Sequence, residues 1–358
     1  MQNNTSNTCS ISNTTDPTAN RQSVVYCVML FTTGFVGNTI ALWILYRHKT
    51  NTRYNHVSVF YVLVTGLVWT DLLGKILLSP MVMASYALSK CLTDLSDHLC
   101  QTFASLMAFF GLCSMLILLT MALECLLSIG HPYFYQQHIT KKRALLFLLG
   151  IYAICLVFCL MPAFKIGRYR QYHPGTWCFI SMSETKPEDK AFSVLYATLI
   201  LVMILAIVVC NITVKINLLK MYKLSRRQNS WSASFDVTTG EGTCQPPKSR
   251  HPEELDHLIL LGLMTLIFLI CSVPITVRAY IGAFSPGEPR AEEEEKDLNA
   301  LRFLSVNSIV DPWVFIIFRT SLCRTLVHKL VEKLCHSQRR RSSLHQQEPV
   351  SQQKATET

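Results

Sequence analysis

LNALRFLSVNSIVDPWVFIIF, residues 298–318, is apolar and long enough to cross the hydrocarbon core of a bilayer, which takes about 20 residues of helix. It nevertheless carries an arginine, Arg302, roughly two helical turns inward of Glu295. A guanidinium at that depth is costly unless water, an internal partner or an anionic ligand compensates it. An intramembrane arginine is therefore read first as a ligand-site residue.

Working outward from this stretch, six more of the same kind run from Ser23 to Tyr46, Val57 to Tyr86, Gln101 to Ile129, Ala144 to Phe164, Ala191 to Leu218 and His257 to Phe284. The 358 residues are 50% hydrophobic and only 16% charged, with mean hydropathy +0.29, whereas soluble domains carry about 25% charge. The expectation is an all-α membrane protein, a seven-transmembrane helix bundle. Residues 23–318 form the membrane domain, 1–22 an N-terminal tail, and 319–358 an amphipathic helix and tail. Within the last segment, Ser321 to Leu334 places Leu322, Leu326 and Leu330 on one face and reads as a helix lying at the lipid interface.

Lys and Arg cluster after span one (Arg47, Lys49, Arg53), span three (Lys141, Lys142, Arg143), span five (Lys220, Lys223, Arg226, Arg227) and span seven (Arg319, Arg324, Lys329). The positive-inside tendency makes those ends cytoplasmic and the N-terminus extracellular. The acidic run Glu292 to Glu295 falls on the other side. So do sequons beginning at Asn3, Asn4 and Asn13, read as glycosylation acceptors. With a polar start, span one itself is expected to direct insertion. This asymmetry accounts for the net charge of +10 without invoking nucleic acid.

Of the 14 cysteines, Cys9, Cys91, Cys100 and Cys178 fall in outer segments, where disulfides persist and four thiols allow three pairings. No metal-ligand spacing, phosphate loop or nucleophile-and-base arrangement is visible, so no metal, cofactor or catalytic residue is expected. A retinal-type pump would need a lysine within span seven, which has none. Paired broken helices in two halves, a mark of transport, are lacking too.

The polar residues inside the spans narrow the class: Gly37-Asn38 in span one, Asp71-Leu72-Leu73 in span two, Cys271-Ser272-Val273-Pro274 in span six and Asp311-Pro312-Trp313 in span seven. Together they resemble the rhodopsin-like G-protein-coupled receptors. In that family the helix-1 Asn and helix-2 Asp form a polar centre and the helix-7 proline loosens the helix. The resemblance makes Asn38, Asp71, Glu124, Cys125, Pro274, Asp311 and Pro312 activation residues. Two departures stand out. The acidic-Arg-aromatic triplet at the inner end of span three is here Glu124-Cys125-Leu126, so Glu124 is expected to find another donor or to be protonated. Ser272 stands two residues before Pro274, where many relatives carry Trp.

Gln171-Tyr172-His173-Pro174-Gly175-Thr176-Trp177-Cys178-Phe179 and Leu301-Arg302-Phe303 resemble the prostanoid subfamily. Lys75, Glu124-Cys125, Arg278-Ala279-Tyr280 and Gly282-Ala283-Phe284 are most similar to the prostaglandin D2 type. Ser128 to Tyr135 leans towards the E2 type, and the prostacyclin type shares the longer stretches. The resemblance implies a plasma-membrane receptor for a prostaglandin, coupled to a heterotrimeric G protein of the stimulatory kind and raising cyclic AMP. It also implies a disulfide between Cys100 and Cys178.

A prostanoid is an oily carboxylic acid, and a guanidinium can hold its carboxylate by two parallel hydrogen bonds. Arg302 takes that role, the alternative being an internal ion pair. By family resemblance Tyr86 and Thr176 complete the clamp, and Trp177 covers the apolar part. Lys75, one turn from Asp71 on the same face, either pairs with Asp71 or donates to a ring oxygen of the ligand. Ser308 either touches the ligand or hydrogen-bonds back along its helix.

Overall fold

The computed structural model describes residues 17–51, 58–96, 98–172, 175–182, 186–235, 251–284 and 291–319. The sequons at Asn3, Asn4 and Asn13 and the amphipathic stretch 321–334 lie outside them. Among the described residues there are nine α-helices: α1 (Pro17–Asn51), α2 (Val59–Leu88), α3 (Leu92–Leu95), α4 (Leu99–Gly130), α5 (Pro132–His138), α6 (Lys141–Leu160), α7 (Pro187–Phe235), α8 (His251–Phe284) and α9 (Ala291–Arg319). Helices α1, α2, α4, α6, α7, α8 and α9 are long and apolar enough to cross a membrane, and they are the seven stretches read from the sequence. Several run further than expected; α7 continues past Leu218 to Phe235.

What these helices expose explains why they belong in lipid. Helix α6 leaves Leu146, Ile154 and Val157 at least 65% exposed, an apolar face that water would disfavour and a bilayer accepts. Helix α4 does the opposite. It packs against α2, α6 and α7 and buries Leu112, Ile117, Leu118 and Met121 almost completely. Small residues set the closest approaches, as is usual between membrane helices. A Cβ on Gly37 of α1 would come within 2.7 Å of the Trp313 indole of α9, and one on Gly66 of α2 within 2.7 Å of Leu148 of α6.

The segment between α6 and α7 is a departure from the all-helical expectation. After a 3-10 turn (Met161–Phe164), strands β1 (Tyr169–Tyr172) and β2 (Trp177–Ile180) form an antiparallel hairpin with Tyr169 opposite Ile180 and Tyr172 opposite Trp177. Its turn needs Gly175, whose φ of +109° is open mainly to glycine, and whose bare Cα lies against the Cys91 sulfur. Strand β2 is buried at every residue. A disulfide joins Cys178 to Cys100 at the start of α4 with the Cα atoms 5.4 Å apart, and the Leu92 N–H donates to the Gly175 carbonyl. Cys91 is also disulfide-bonded. The hairpin is thus pinned across one end of the bundle. Two compact units are distinguished, Met1–Val314 and Phe315–Thr358, and the sites below lie in the first.

Candidate ligand site and polar core

Beneath the hairpin a cavity of about 110 Å³ lies between α1, α2, α4 and α9. Its walls are mostly apolar: Leu30 and Phe31, Val82 and Met83, Phe103 and Met107, Leu304. Trp177 closes it from above, edge-on to Phe103 with ring centroids 6.0 Å apart. The polar residues on its wall are Asp71, Lys75, Ser79, Ser114, Ser305, Asn307 and Ser308. This is the usual make-up of a small-molecule site, an apolar groove with a few oriented polar groups. Ligand pockets usually span about 300–1,000 Å³, so a twenty-carbon ligand must widen this one or extend beyond it.

Lys75 and Asp71 form no hydrogen-bonded ion pair, although their charges act on each other through space. The Lys75 Nζ donates to the Ser305 carbonyl at 3.1 Å, tying α2 to α9, and two of its three ammonium hydrogens stay available on the cavity wall. Asp71 accepts instead from the Ser114 hydroxyl of α4 at 2.8 Å. Ser308 donates back to the Ser305 carbonyl at 3.1 Å while lining the cavity.

Arg302 sits one turn of α9 from Ser305, half-buried, and its charge reaches Cys27, which lines the cavity. Among the described residues no carboxylate lies within ion-pair distance of it; its only hydrogen bond is from Nη1 to Asn299 Oδ1 at 3.3 Å. Among the described residues, then, the internal ion pair considered from sequence is not formed. The Thr176 hydroxyl donates to the Tyr86 oxygen at 3.3 Å, so those two groups are brought together, both buried; Arg302 is bonded to neither.

A polar centre adjoins the cavity and shares Asp71, Asn307 and Ser308 with its wall. Pro312 has no N–H for the Ser308 carbonyl one turn earlier. The amide of Asn38 in α1 takes that carbonyl at 3.1 Å, while also donating to the Gly34 carbonyl at 2.9 Å. Around this point Asp71 Oδ2, Asn307 Oδ1, Ser272 Oγ and both carboxylate oxygens of Asp311 are buried with no hydrogen-bond partner among the described residues. Buried acceptors of this kind are costly to leave unmatched. A centre so poorly satisfied is one that a shift of α8, which contains Pro274, or of α9 can re-pair at small cost.

At the opposite end of α4, Glu124 has found donors other than a neighbouring arginine. Tyr135 of α5 donates its phenolic hydrogen to Oε1, and the Cys125 thiol lies 3.6 Å from Oε2. Burial first, and then the adjacent carboxyl, push the Tyr135 phenol above its ordinary range, so it remains the donor. Cys125 itself is packed at 4% exposure.

Sequence reasoning missed one charged cluster. Arg278 near the end of α8 bonds Asp297 through Nε at 2.5 Å and Glu293 through Nη1 at 2.6 Å, and Arg170 of β1 bonds Glu294 at 2.6 Å. The signal was present: a lone cation near the end of one span and an acidic run at the start of the next.

Comparisons with known proteins agree with this geometry. Residues 37–315 match the family described as 7 transmembrane receptor (rhodopsin family). The chain is 49% identical to the Mus musculus prostaglandin D2 receptor over 315 residues, 84% of this chain and 87% of that one. It is 46% identical to the Homo sapiens prostaglandin D2 receptor over 322 residues, 86% and 89% of the two chains. With the Homo sapiens prostaglandin E2 receptor EP2 subtype it shares 44% over 307 residues, 83% of each. The crystal structure of squid rhodopsin superimposes with a TM-score of 0.67 at 16% identity, covering 85% of this chain and 83% of that one, a likeness of fold alone.

Proposed function

The chain belongs to the rhodopsin family of seven-transmembrane receptors, a family of receptors rather than enzymes, and from that premise we propose that it is a plasma-membrane receptor for prostaglandin D2. The observation that carries the ligand chemistry is Arg302, a guanidinium without a carboxylate partner among the described residues, beside an apolar cavity. The acid head of the ligand satisfies Arg302 together with Tyr86 and Thr176. The ring and chains enter the groove under Trp177, where the spare hydrogens of Lys75 meet a ring oxygen and Ser308 flanks it.

Agonist can favour one state only by binding it better than the other. In this reading the ligand couples α2 to α9 through Lys75 and so biases the polar centre of Asn38, Asp71 and Asp311. Bending at Pro274 and Pro312 carries that bias to the end where Glu124 and Cys125 lie. A heterotrimeric G protein of the stimulatory type reads it there and cyclic AMP rises. The N-terminus, with Asn3, Asn4 and Asn13 glycosylated, faces outward, and the basic ends of α1 and α7 and the stretch 321–334 meet lipid headgroups inside.

A receptor for prostaglandin E2 or prostacyclin is the second reading, and its E2 form is favoured by the narrow margin between 44% identity to the EP2 subtype and 46% to the human D2 receptor. Cells expressing the chain, dosed with prostaglandins D2, E2 and a prostacyclin analogue, separate the two. The lowest half-maximal dose for cyclic AMP should belong to prostaglandin D2. A lower dose for either competitor transfers the assignment, and no cyclic AMP response to any of them removes the stimulatory coupling.

A further inference from the structure

A second cavity, of about 610 Å³, opens at the hairpin end between α4, the α6 terminus and the start of α7. It shares no residue with the cavity beneath Trp177. Three cations line it, Lys165, Arg168 and Lys186, and two carboxylates, Glu188 and Asp189. None of the five is ion-paired among the described residues. Asp189 is the most enclosed of the five, 7% exposed, and it too has no ion-pair partner among them. Both carboxylates stand in the first turn of α7 and line the open cavity, where they can accept from a cationic group.

The placement is fixed by backbone geometry. Lys165 holds a left-handed conformation with φ +65° at the end of the 3-10 turn. Gly167, with φ +91°, lies so close to the Phe192 ring that a Cβ there would be 2.3 Å from it. The chain is therefore pressed onto α7, and Arg168 follows directly. Three neighbouring candidate spans end beside it, at Leu99, Phe164 and Pro187, which is where the headgroups would meet helices of that length. Leu160 on its wall is 43% exposed, and the neighbouring Phe164 and Ile166 are 76% and 52% exposed, an apolar group beside the cavity.

We propose that this cavity binds the headgroup of a zwitterionic phospholipid, with the acyl chains running down the exposed face of α6. Lys165, Arg168 and Lys186 face the phosphodiester, and Asp189 with Glu188 faces the ammonium. Tyr169 lines the same cavity and adds an aromatic group, the usual complement of a quaternary ammonium. An anionic lipid would answer the three cations and leave Asp189 unmet. A soluble zwitterion would answer the charges and leave these apolar side chains in water.

The test is native mass spectrometry of the full-length receptor in detergent, titrated with phosphatidylcholine, with phosphatidylglycerol of the same acyl chains, and with free phosphocholine. Wild type should retain phosphatidylcholine about tenfold more tightly than either competitor, the scale of one or two charge-assisted hydrogen bonds. Lys165→Asn combined with Arg168→Gln, and separately Asp189→Asn, should each remove that preference while the melting temperature in lipid-free detergent stays put. Lys165→Asn is also read alone, because asparagine tolerates the left-handed backbone and the side chain is exposed, so misfolding of a second variant does not hide the answer. Equal retention of the two lipids, unchanged retention in Lys165→Asn and Asp189→Asn, or phosphocholine binding as tightly as the intact lipid would each overturn the proposal.

Discussion

The phenol of Tyr135 and the carboxyl of Glu124 meet at 2.5 Å, joining the short helix α5 to the end of α4 where a neighbouring arginine would otherwise be expected to engage the acid. Tyr135→Phe deletes the donor while keeping the ring. The carboxyl is then left with the weak Cys125 thiol and a backbone bond from Phe60. Leaving such a group under-satisfied costs about 1–3 kcal/mol. The expected outcomes are a lower melting temperature of the purified receptor and altered basal cyclic AMP in cells. Glu124→Gln, which can still accept from Tyr135, should be milder than Tyr135→Phe on both readouts. If Tyr135→Phe matches wild type in both, the contact carries no conformational weight. Cys125→Arg supplies the missing guanidinium; unchanged basal and stimulated signalling would show Cys125 to be packing alone.

Arg302→Lys keeps the charge and loses the planar fork. With no ion-pair partner to lose among the described residues, the fold should tolerate it. Prostaglandin affinity should fall by about tenfold or more, because a lysine cannot make two parallel bonds to one carboxylate. Radioligand competition on membranes reads this directly. Unchanged affinity would move the carboxylate anchor elsewhere.

How far the sequence could be read follows from the bilayer. Lipid accepts only long apolar helices, so each span declared itself in composition. The hairpin was less visible, although Trp177-Cys178-Phe179-Ile180 is a short apolar run behind a Pro174-Gly175 turn, a pattern that also fits a buried strand. Contacts between helices were the least legible. The spacing of Asp71 and Lys75 suggested a pair, but the long lysine stem let its ammonium reach the Ser305 carbonyl on another helix. Likewise Tyr135, eleven residues from Glu124 in sequence, becomes its partner only because α5 folds back at Pro132. Periodicity along one helix carries no information about which group a neighbouring helix presents.

That lysine contact yields the third prediction. Lys75 and Asp71 make no direct bond but their charges interact through space, so a double-mutant cycle of Lys75→Met and Asp71→Asn in the ligand-free receptor should give a modest coupling energy, about 0.5–1 kcal/mol, at the low end of the range for interacting residues. With agonist bound, Lys75→Met alone should lower affinity by about tenfold if its spare hydrogens hold a ring oxygen. Strong coupling without ligand would restore the ion pair. Affinity unmoved by Lys75→Met would confine the lysine to bracing α2 against α9.

Asn38 supplies the donor that Pro312 withholds from the Ser308 carbonyl. Asn38→Leu fills a similar volume and leaves that carbonyl unpaired in the bundle interior, where interhelical hydrogen bonds contribute about 0.6–2 kcal/mol. Pro312→Ala restores the backbone N–H, so the helix can satisfy Ser308 by itself. The two changes should therefore not add. Asn38→Leu should lower the melting temperature in the wild-type background and have a smaller effect beside Pro312→Ala. The same Pro312→Ala receptor should signal less to agonist, because a continuous α9 loses the bend through which the polar centre rearranges. Additive melting shifts, or full agonist response from Pro312→Ala, would mean that Asn38 binds Ser308 without exploiting the gap the proline opens.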